Sequence, residues 1–485
     1  MIYFTLPSSP KNTYNHIEVD IRPQLPNVFL SQSLCNYMND IKEKISSREK
    51  EWDVYKKYTN PYEYIHSIIP QKKRSVSKYK PISRSYFKML EMIHTFGIDK
   101  PASTKSSSID LSREKIQTFH LAEGPGGFIE AICNKRNNPE DDYYGMTIIY
   151  DETDDNVPAW HKTGYFLSHH PNVNLEYGID KTGNLLHIEN FEYCVEKYGG
   201  KMDLVTADGG FDFSKDFNRQ EISIFNLLWG QVCYALCLQK LGGNFVLKIF
   251  DIFYEQTVHI LYLLASFYDE VHVCKLKTSR IGNSEKYIVC KKFRYSSCAS
   301  FYPIIHESFS KIKRSSTSSD FFAEDKLRCI NTQREECELT SVVLADSVVL
   351  ADSVVLANLD KYGQTTEFFA KEPHFYKSDE YYTWYLLNCE IPRYFTKQIE
   401  DINVIFGQQQ IENIHYTISL IDKQPKQDKL DQLVKQNITK CVNWCVEHCI
   451  PYNNLTTINI FEQGNQNTSV PFRTNSYTKL QNYTV

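Results

Sequence analysis

Nowhere does the 485-residue chain approach the ~20 consecutive apolar residues that a membrane helix needs. Even the apolar run 261–267 is bounded by His259 and Asp269, so no membrane role is expected. The start, Met1-Ile2-Tyr3-Phe4-Thr5-Leu6-Pro7, lacks the basic and apolar regions of a secretory signal. The 14 cysteines are accordingly expected to be reduced and intracellular rather than paired. An excess of positive charge is also missing, with 54 Lys and Arg against 59 Asp and Glu and a net charge of −5. A protein that coats nucleic acid with its whole surface should be basic, so any such contact must be confined to local patches. With 42% hydrophobic and 23% charged residues, the composition excludes a disordered, collagenous or disulfide-scaffold chain. What is abundant is aromatic: 33 tyrosines and 28 phenylalanines, most of which must serve packing rather than base stacking. At ~150 residues per domain, the length suggests about three domains, or one large domain with additions.

Residues 1–79 read as an N-terminal extension, rich in charge and tyrosine, with a helical run over 34–58. The segment 71–90 then carries Lys72, Lys73, Arg74, Lys78, Lys80, Arg84 and Lys88 with no acid, a local charge of +7. Lys88 falls near the start of a helical pattern over 87–96. From Thr118 onward, short apolar runs alternate with longer helical ones, the mark of an α/β unit with a mostly parallel sheet. Strands are expected at 119–123, 144–150, 173–177, 203–207, 244–250, 271–276 and 286–291, with a long helix over 220–241. The last two strands are separated by only 277–285, too short for a helical crossover, and should pair antiparallel. Beyond Phe293 a serine-rich linker is expected over 296–319, followed by a tandem SVVLAD repeat at 341–358. The linker and repeat together fill 296–369. The region 370–462 reads as helical, including 381–389, 411–421 and 430–449, and 463–485 as a polar tail.

The sharpest local signal is Glu123-Gly124-Pro125-Gly126-Gly127-Phe128, where an apolar strand runs into an acid and a glycine turn that opens a helix. Glycine lets the backbone approach a ligand closely, and a helix N-terminus offers free N–H groups. The spacing is neither that of a dinucleotide-binding turn nor that of a P-loop. Asp208, in Ala207-Asp208-Gly209-Gly210, falls just past a buried strand. Lys248, in Val246-Leu247-Lys248, ends the next one, so both charges should meet at the carboxyl edge of the sheet, where open α/β folds bind ligands. Burying an unpaired lysine charge is expensive. A structural ion pair between Lys248 and Asp208 is one explanation, a functional site the other.

These motifs, with Ser83-Arg84-Ser85-Tyr86-Phe87-Lys88-Met89-Leu90 and Ser284-Glu285, resemble the FtsJ-like RNA 2′-O-ribose methyltransferases over about residues 80–295. Lys88, Asp208, Lys248 and Glu285 match that family's Lys-Asp-Lys-Glu catalytic tetrad in order. Glu-Gly-Pro-Gly-Gly-Phe is more similar to the mRNA cap-specific branch, including versions from large cytoplasmic DNA viruses, than to the ribosomal branch. The resemblance implies a Rossmann-like S-adenosylmethionine-dependent methyltransferase sheet, mostly parallel with an antiparallel last strand, beside a helical C-terminal region. It implies S-adenosyl-L-methionine as cofactor, cradled by Glu123, Gly124, Pro125, Gly126, Gly127 and Phe128. Asp180 resembles the residue that contacts the adenine amino group, and Asp151 is a weaker candidate; either could equally be a solvated loop acid. A ribose 2′-hydroxyl is a poor nucleophile, and crowding two lysines lowers their proton affinity while Asp208 and Glu285 hold them. On this reading Lys248 deprotonates or polarises the hydroxyl, Lys88 and Asp208 orient it, and Glu285 positions the Lys248 side.

RNA contact is expected from Lys72, Lys73, Arg74, Lys78, Lys80 and Arg84, and from Lys277 and Arg280 in a second patch, 271–294, of charge +6. The alternative for each patch is an ordinary solvated face. Trp52, Tyr55, Tyr58 or Tyr62 could stack on a cap. Cys441, Cys445 and Cys449 recur every four residues along about 12 Å of one helix, too extended for a single zinc. They are read as core cysteines, and no metal is expected. Capped RNA is the expected partner, with other capping enzymes as candidates; neither DNA nor a membrane is expected, and the oligomeric state is open. The resemblance points to the cytoplasm of a host cell, or a virion. Methylation of ribosomal or other structured RNA, or a non-catalytic capping scaffold, are the competing functions, and the glycine turn disfavours a nicotinamide enzyme.

Overall fold

The computed structural model describes residues 1–102, 114–149, 159–160, 162–210, 218–316 and 381–454. Asp151, the SVVLAD repeat and the polar tail lie outside these residues. The elements run β1 (Ile2–Thr5), β2 (Ile17–Arg22), α1 (Gln32–Ser46), α2 (Glu49–Thr59), α3 (Ser85–Phe96), β3 (Gln117–Leu121), α4 (Gly127–Arg136), β4 (Asp142–Met146), α5 (Gly164–His169), β5 (Val173–Glu176) and α6 (Ile188–Tyr198). There follow β6 (Met202–Ala207), α7 (Gln220–Ser223), α8 (Phe225–Leu238), β7 (Gln239–Ile249), α9 (Glu255–Phe267), β8 (Tyr268–Lys275), β9 (Lys286–Phe293), α10 (Tyr302–Ser316), β10 (Tyr382–Leu387), α11 (Arg393–Lys423) and α12 (Gln427–Glu447).

Eight strands form one sheet in the order β1-β8-β9-β7-β6-β3-β4-β5. The pairs β3–β4, β4–β5, β3–β6 and β6–β7 are parallel. The strand β9 is inserted antiparallel between β7 and β8. The central strands are buried on both faces, as the unbroken run of buried residues in β6 shows, because helices cover each side of a parallel sheet. Chain order reverses beside β3, which pairs β4 on one side and β6 on the other, and this opens a crevice at the carboxyl ends of the strands.

Several expectations are corrected. The N-terminal segment is not an appendage: β1 pairs antiparallel with β8 and becomes the edge of the main sheet. The run 34–58 is two helices, α1 and α2, rather than one. The long helix over 220–241 is likewise α7 and α8, and β7 begins directly at Gln239. The serine-rich stretch is not wholly a linker, since Phe301, just before α10, and Ile305, Phe309 and Ile312 of α10 bury against the main core. Residues 382–387 form a strand, not a helix, paired with β2 in a separate two-stranded ribbon. Nor is the C-terminal region a separate body. Phe395, Ile399, Ile402 and Phe406 of α11 join the same apolar core as the sheet, while Ile438, Cys441, Trp444 and Cys445 of α12 join the core beneath α3.

Candidate active site

Register sets the charged residues side by side. Leu247 of β7 lies opposite Ala207 of β6, which places Lys248 beside Asp208, the first residue past β6. Because β9 runs antiparallel, its start faces the same sheet edge, and Tyr287 is the direct partner of Lys248. Lys88 arrives from the first turn of α3. A glycine contact fixes that helix: a Cβ on Gly127 would fall 2.2 Å from Ser85 Oγ, so the N-termini of α4 and α3 can touch only with glycine there. The backbone N–H of Ile82 donates to Glu130 at 2.9 Å and ties the approach to α3 onto α4.

The side chains form one continuous chain of hydrogen bonds. Ser279 Oγ donates to Glu285 Oε1 at 2.7 Å, and Lys88 Nζ donates to Glu285 Oε2 at 2.7 Å. Lys88 Nζ also lies 3.2 Å from the Tyr287 hydroxyl, which donates to Asp208 Oδ1 at 2.7 Å. Lys248 Nζ closes the chain, donating to the Asp208 carbonyl at 2.6 Å with Asp208 Oδ1 at 3.4 Å. A Cβ on Gly210 would come within 3.0 Å of Lys248 Nζ, so this glycine leaves that nitrogen its room. The four expected catalytic residues are thus brought together, with one reassignment: Glu285 binds Lys88, not the Lys248 side. The link missed from sequence is Tyr287. It stands two residues after Glu285 on a strand, and residues i and i+2 share a face, so period-2 alternation was the available signal.

Burial lowers the proton affinity of Lys88, against the opposing pull of Glu285 and Asp208. Burial alone would raise the Glu285 carboxyl, but Lys88 and Lys248 outweigh it and hold that carboxyl well below the usual range. The Tyr287 phenol is pushed far up by burial and by Asp208 and Glu285. It stays protonated and acts as a donor.

The glycine turn lies beside this chain. Glu123 Oε1 accepts the Phe128 N–H at 2.5 Å, while Oε2 is buried without a hydrogen-bond partner among the described residues. Burial, reinforced by Asp208, raises the Glu123 carboxyl well above its ordinary value. A Cβ at Gly124 would strike the Ala159 carbonyl at 2.6 Å, and Gly126 holds φ +106°, so neither position accepts a side chain without strain. An unsatisfied buried acceptor beside a side-chain-free turn and a helix N-terminus fits a polar, cationic or hydroxyl-bearing ligand such as S-adenosylmethionine. Pro125 and Phe128 complete the turn, Phe128 fully buried. Asp180 sits in the loop after β5 and bonds Asn190 Nδ2 and the Thr182 N–H at 2.9 Å each. His187 bonds its other oxygen. Organising this loop accounts for that acid without a ligand.

The basic patches divide. Lys73, Arg74, Lys78 and Lys80 are exposed, and Lys72 and Arg84 partly so. Lys277 and Arg280 instead face acids, Glu447 at 3.0 Å and the buried Glu63 at 2.8 Å. Trp52 packs on a small apolar cluster with Met38, Ile41 and Ile411, beside Gly282 of the loop that carries Glu285. Tyr55 and Tyr58 contact each other, and Tyr62 packs toward the core beneath α3. Cys441 and Cys445 are buried while Cys449 is exposed. Among the described residues, His94, Glu447 and His448 bring ligand atoms within 4.8 Å of one another, but Lys277 already supplies Glu447 with a cation.

Residues 81–293 match the family of FtsJ-like methyltransferases. The chain is 27% identical over 281 residues to cap-specific mRNA (nucleoside-2′-O-)-methyltransferase 2 of Drosophila melanogaster, covering 54% of this chain and 37% of that protein. It is 34% identical over 220 residues to cap-specific mRNA (nucleoside-2′-O-)-methyltransferase 1 of Leishmania braziliensis, with 44% and 53% covered. A Caenorhabditis briggsae relative named inactive cap-specific mRNA (nucleoside-2′-O-)-methyltransferase 1B is 28% identical over 299 residues, with 59% and 34% covered. The chain spans well under two thirds of the length of each.

Proposed function

From the match of residues 81–293 to the FtsJ-like methyltransferases, we propose that this chain transfers a methyl group from S-adenosylmethionine to a ribose 2′-hydroxyl near the 5′ end of capped mRNA. Sequence likeness alone does not carry the activity, since one relative is named inactive. The observation that carries it is the intact chain from Glu285 through Lys88, Tyr287 and Asp208 to Lys248. When bound, the cofactor supplies an electrophilic sulfonium methyl. The protein supplies the rest.

Lys248 stands at the open end of the chain. Lys248 Nζ is the group placed to take the proton of the 2′-hydroxyl as the oxygen is methylated, with Asp208 Oδ1 at 3.4 Å beside the charge so formed. Lys88, held by Glu285 at 2.7 Å and Tyr287 at 3.2 Å, is fixed beside the developing negative oxygen, the kind of preorganised group that stabilises a transition state. Glu123 and the turn 124–127 would hold the cofactor, Glu123 Oε2 having no hydrogen-bond partner among the described residues. The exposed lysines and arginine of 73–80 bind the phosphates of the strand, a role that Lys277 and Arg280, already paired, fill less readily.

Mass spectrometry of short capped and uncapped RNAs, after incubation with the protein and S-adenosylmethionine, tests this reading. Ribose methylation should appear on the capped strand and be absent with Lys248→Ala. Equal methylation of the uncapped strand would move the assignment to structured RNA, and none on either would leave a binding scaffold.

A further inference from the structure

A second charged cluster lies directly behind the first. Asp251 follows Lys248 by three residues, past the end of β7. Its Oδ2 accepts Lys42 Nζ at 2.9 Å and Ser284 Oγ at 2.8 Å, and its Oδ1 is 3.3 Å from Lys286 Nζ. Lys286 Nζ also donates to the carbonyls of Phe250 and Ser284, at 3.0 Å each. Lys275 Nζ donates to the carbonyl of Glu285 at 2.8 Å. Both neighbours of Glu285 in the chain are therefore fastened to Asp251, and so is the segment leaving Lys248. Lys42 is contributed by α1, far outside the segment that matches the family.

Further ties converge on the same loop. Glu91 of α3 accepts the backbone N–H groups of Lys277 and Thr278 at 2.7 and 3.1 Å. Glu63, before α3, grips Arg280. Lys42, Asp251 and Lys286 are all buried. A buried ion pair is a poor device for stability alone, because desolvation offsets most of its attraction. What this cluster does supply is a fixed distance between the end of β7 and the start of β9, the two places that carry Lys248 and Glu285.

We propose that Lys42 and Asp251 are a positioning pair that sets Glu285 and Lys248 relative to each other, so that the N-terminal helix α1 is a working part of the active site. The kinetic arm of its test rests on the methyl-transfer reading above; the exchange arm does not. In Lys42→Met, amide exchange in the peptide 277–286 should rise several-fold while that in 117–136 stays at the wild-type rate. With capped RNA, kcat should fall about tenfold with KM within about twofold, because a sub-ångström misplacement raises the barrier without weakening binding. Lys42→Arg, which keeps the charge and its reach, should recover most of the loss. Wild-type exchange and kcat in Lys42→Met, a change in KM alone, or no recovery in Lys42→Arg would overturn the proposal. Should Lys42→Met not fold, Ser284→Ala removes one hydroxyl from Asp251 and should lower kcat about threefold; an unchanged kcat there would overturn it too. If the wild-type protein transfers no methyl to capped RNA, the activity reading fails, and the exchange comparison alone decides the positioning role.

Discussion

Two lysine–carboxylate clusters sit within a few residues of each other at one sheet edge, and they are built to opposite ends. Around Asp251, Lys42 and Lys286 are buried, Lys42 donating to the carboxylate and Lys286 to the carboxylate and two backbone carbonyls. In the chain that ends at Lys248, the partners are as close, but Lys248 and Glu285 keep 13% and 14% of their side-chain surface open. Burial of charge is common to both. The difference is an amine with room beside it, and that is what separates a place where chemistry can happen from a brace.

The largest effect should come from the open cluster. Lys248→Ala removes the group given the proton and should cut methyl transfer by about 10²–10⁴-fold, with cofactor affinity unchanged by calorimetry. A loss no greater than that of Lys42→Met would erase the distinction between the two clusters. Next, Gly127→Ala should destabilise the fold by about 1–3 kcal/mol, because the new methyl meets Ser85 Oγ and the Tyr86 backbone where α4 touches α3. Denaturant midpoints read this directly, and Ser85→Gly in the same chain should return part of the loss. Tyr287→Phe cuts the link between Lys88 and Asp208 and should lower kcat roughly tenfold with little change in KM.

The smallest effect concerns a buried polar group that solves its problem by staying neutral. His120 of β3 lies between Thr118 and Thr206 hydroxyls at 2.8 and 2.7 Å, and burial lowers its titration to about 3. An unfolded histidine titrates near ~6.5, so between those values the unfolded chain binds the extra proton and stability falls as the pH drops. Unfolding free energies at a series of pH values should show His120→Gln with a slope shallower by up to one proton across that window.

Much of this was legible in the sequence. The seven strands from β3 to β9 were visible as apolar runs, Asp208 and Lys248 as charges at two of their ends, and Lys88 and Glu285 through the resemblance to the FtsJ-like family. What escaped was either short or long-range. The strand β1 has four residues, all but one exposed, and exists because β8 offers it an edge. The segment 382–387 shows helical spacing, yet its aromatic, β-favouring composition pairs it with β2. The helix α10 hid behind its serines although Phe301, Ile305, Phe309 and Ile312 carry helical spacing. Lys42 and Asp251 are 209 positions apart, and only folding brings them together.

Whether the tetrad acts on a ribose hydroxyl is decided by one substrate pair. Methyl transfer should be measured on a capped RNA and on the same capped strand with 2′-deoxyribose at its first transcribed nucleotides. Transfer to the first and none to the second is the expected result. Undiminished transfer to the deoxy strand would place the methyl on a base or on the cap, and contradict it.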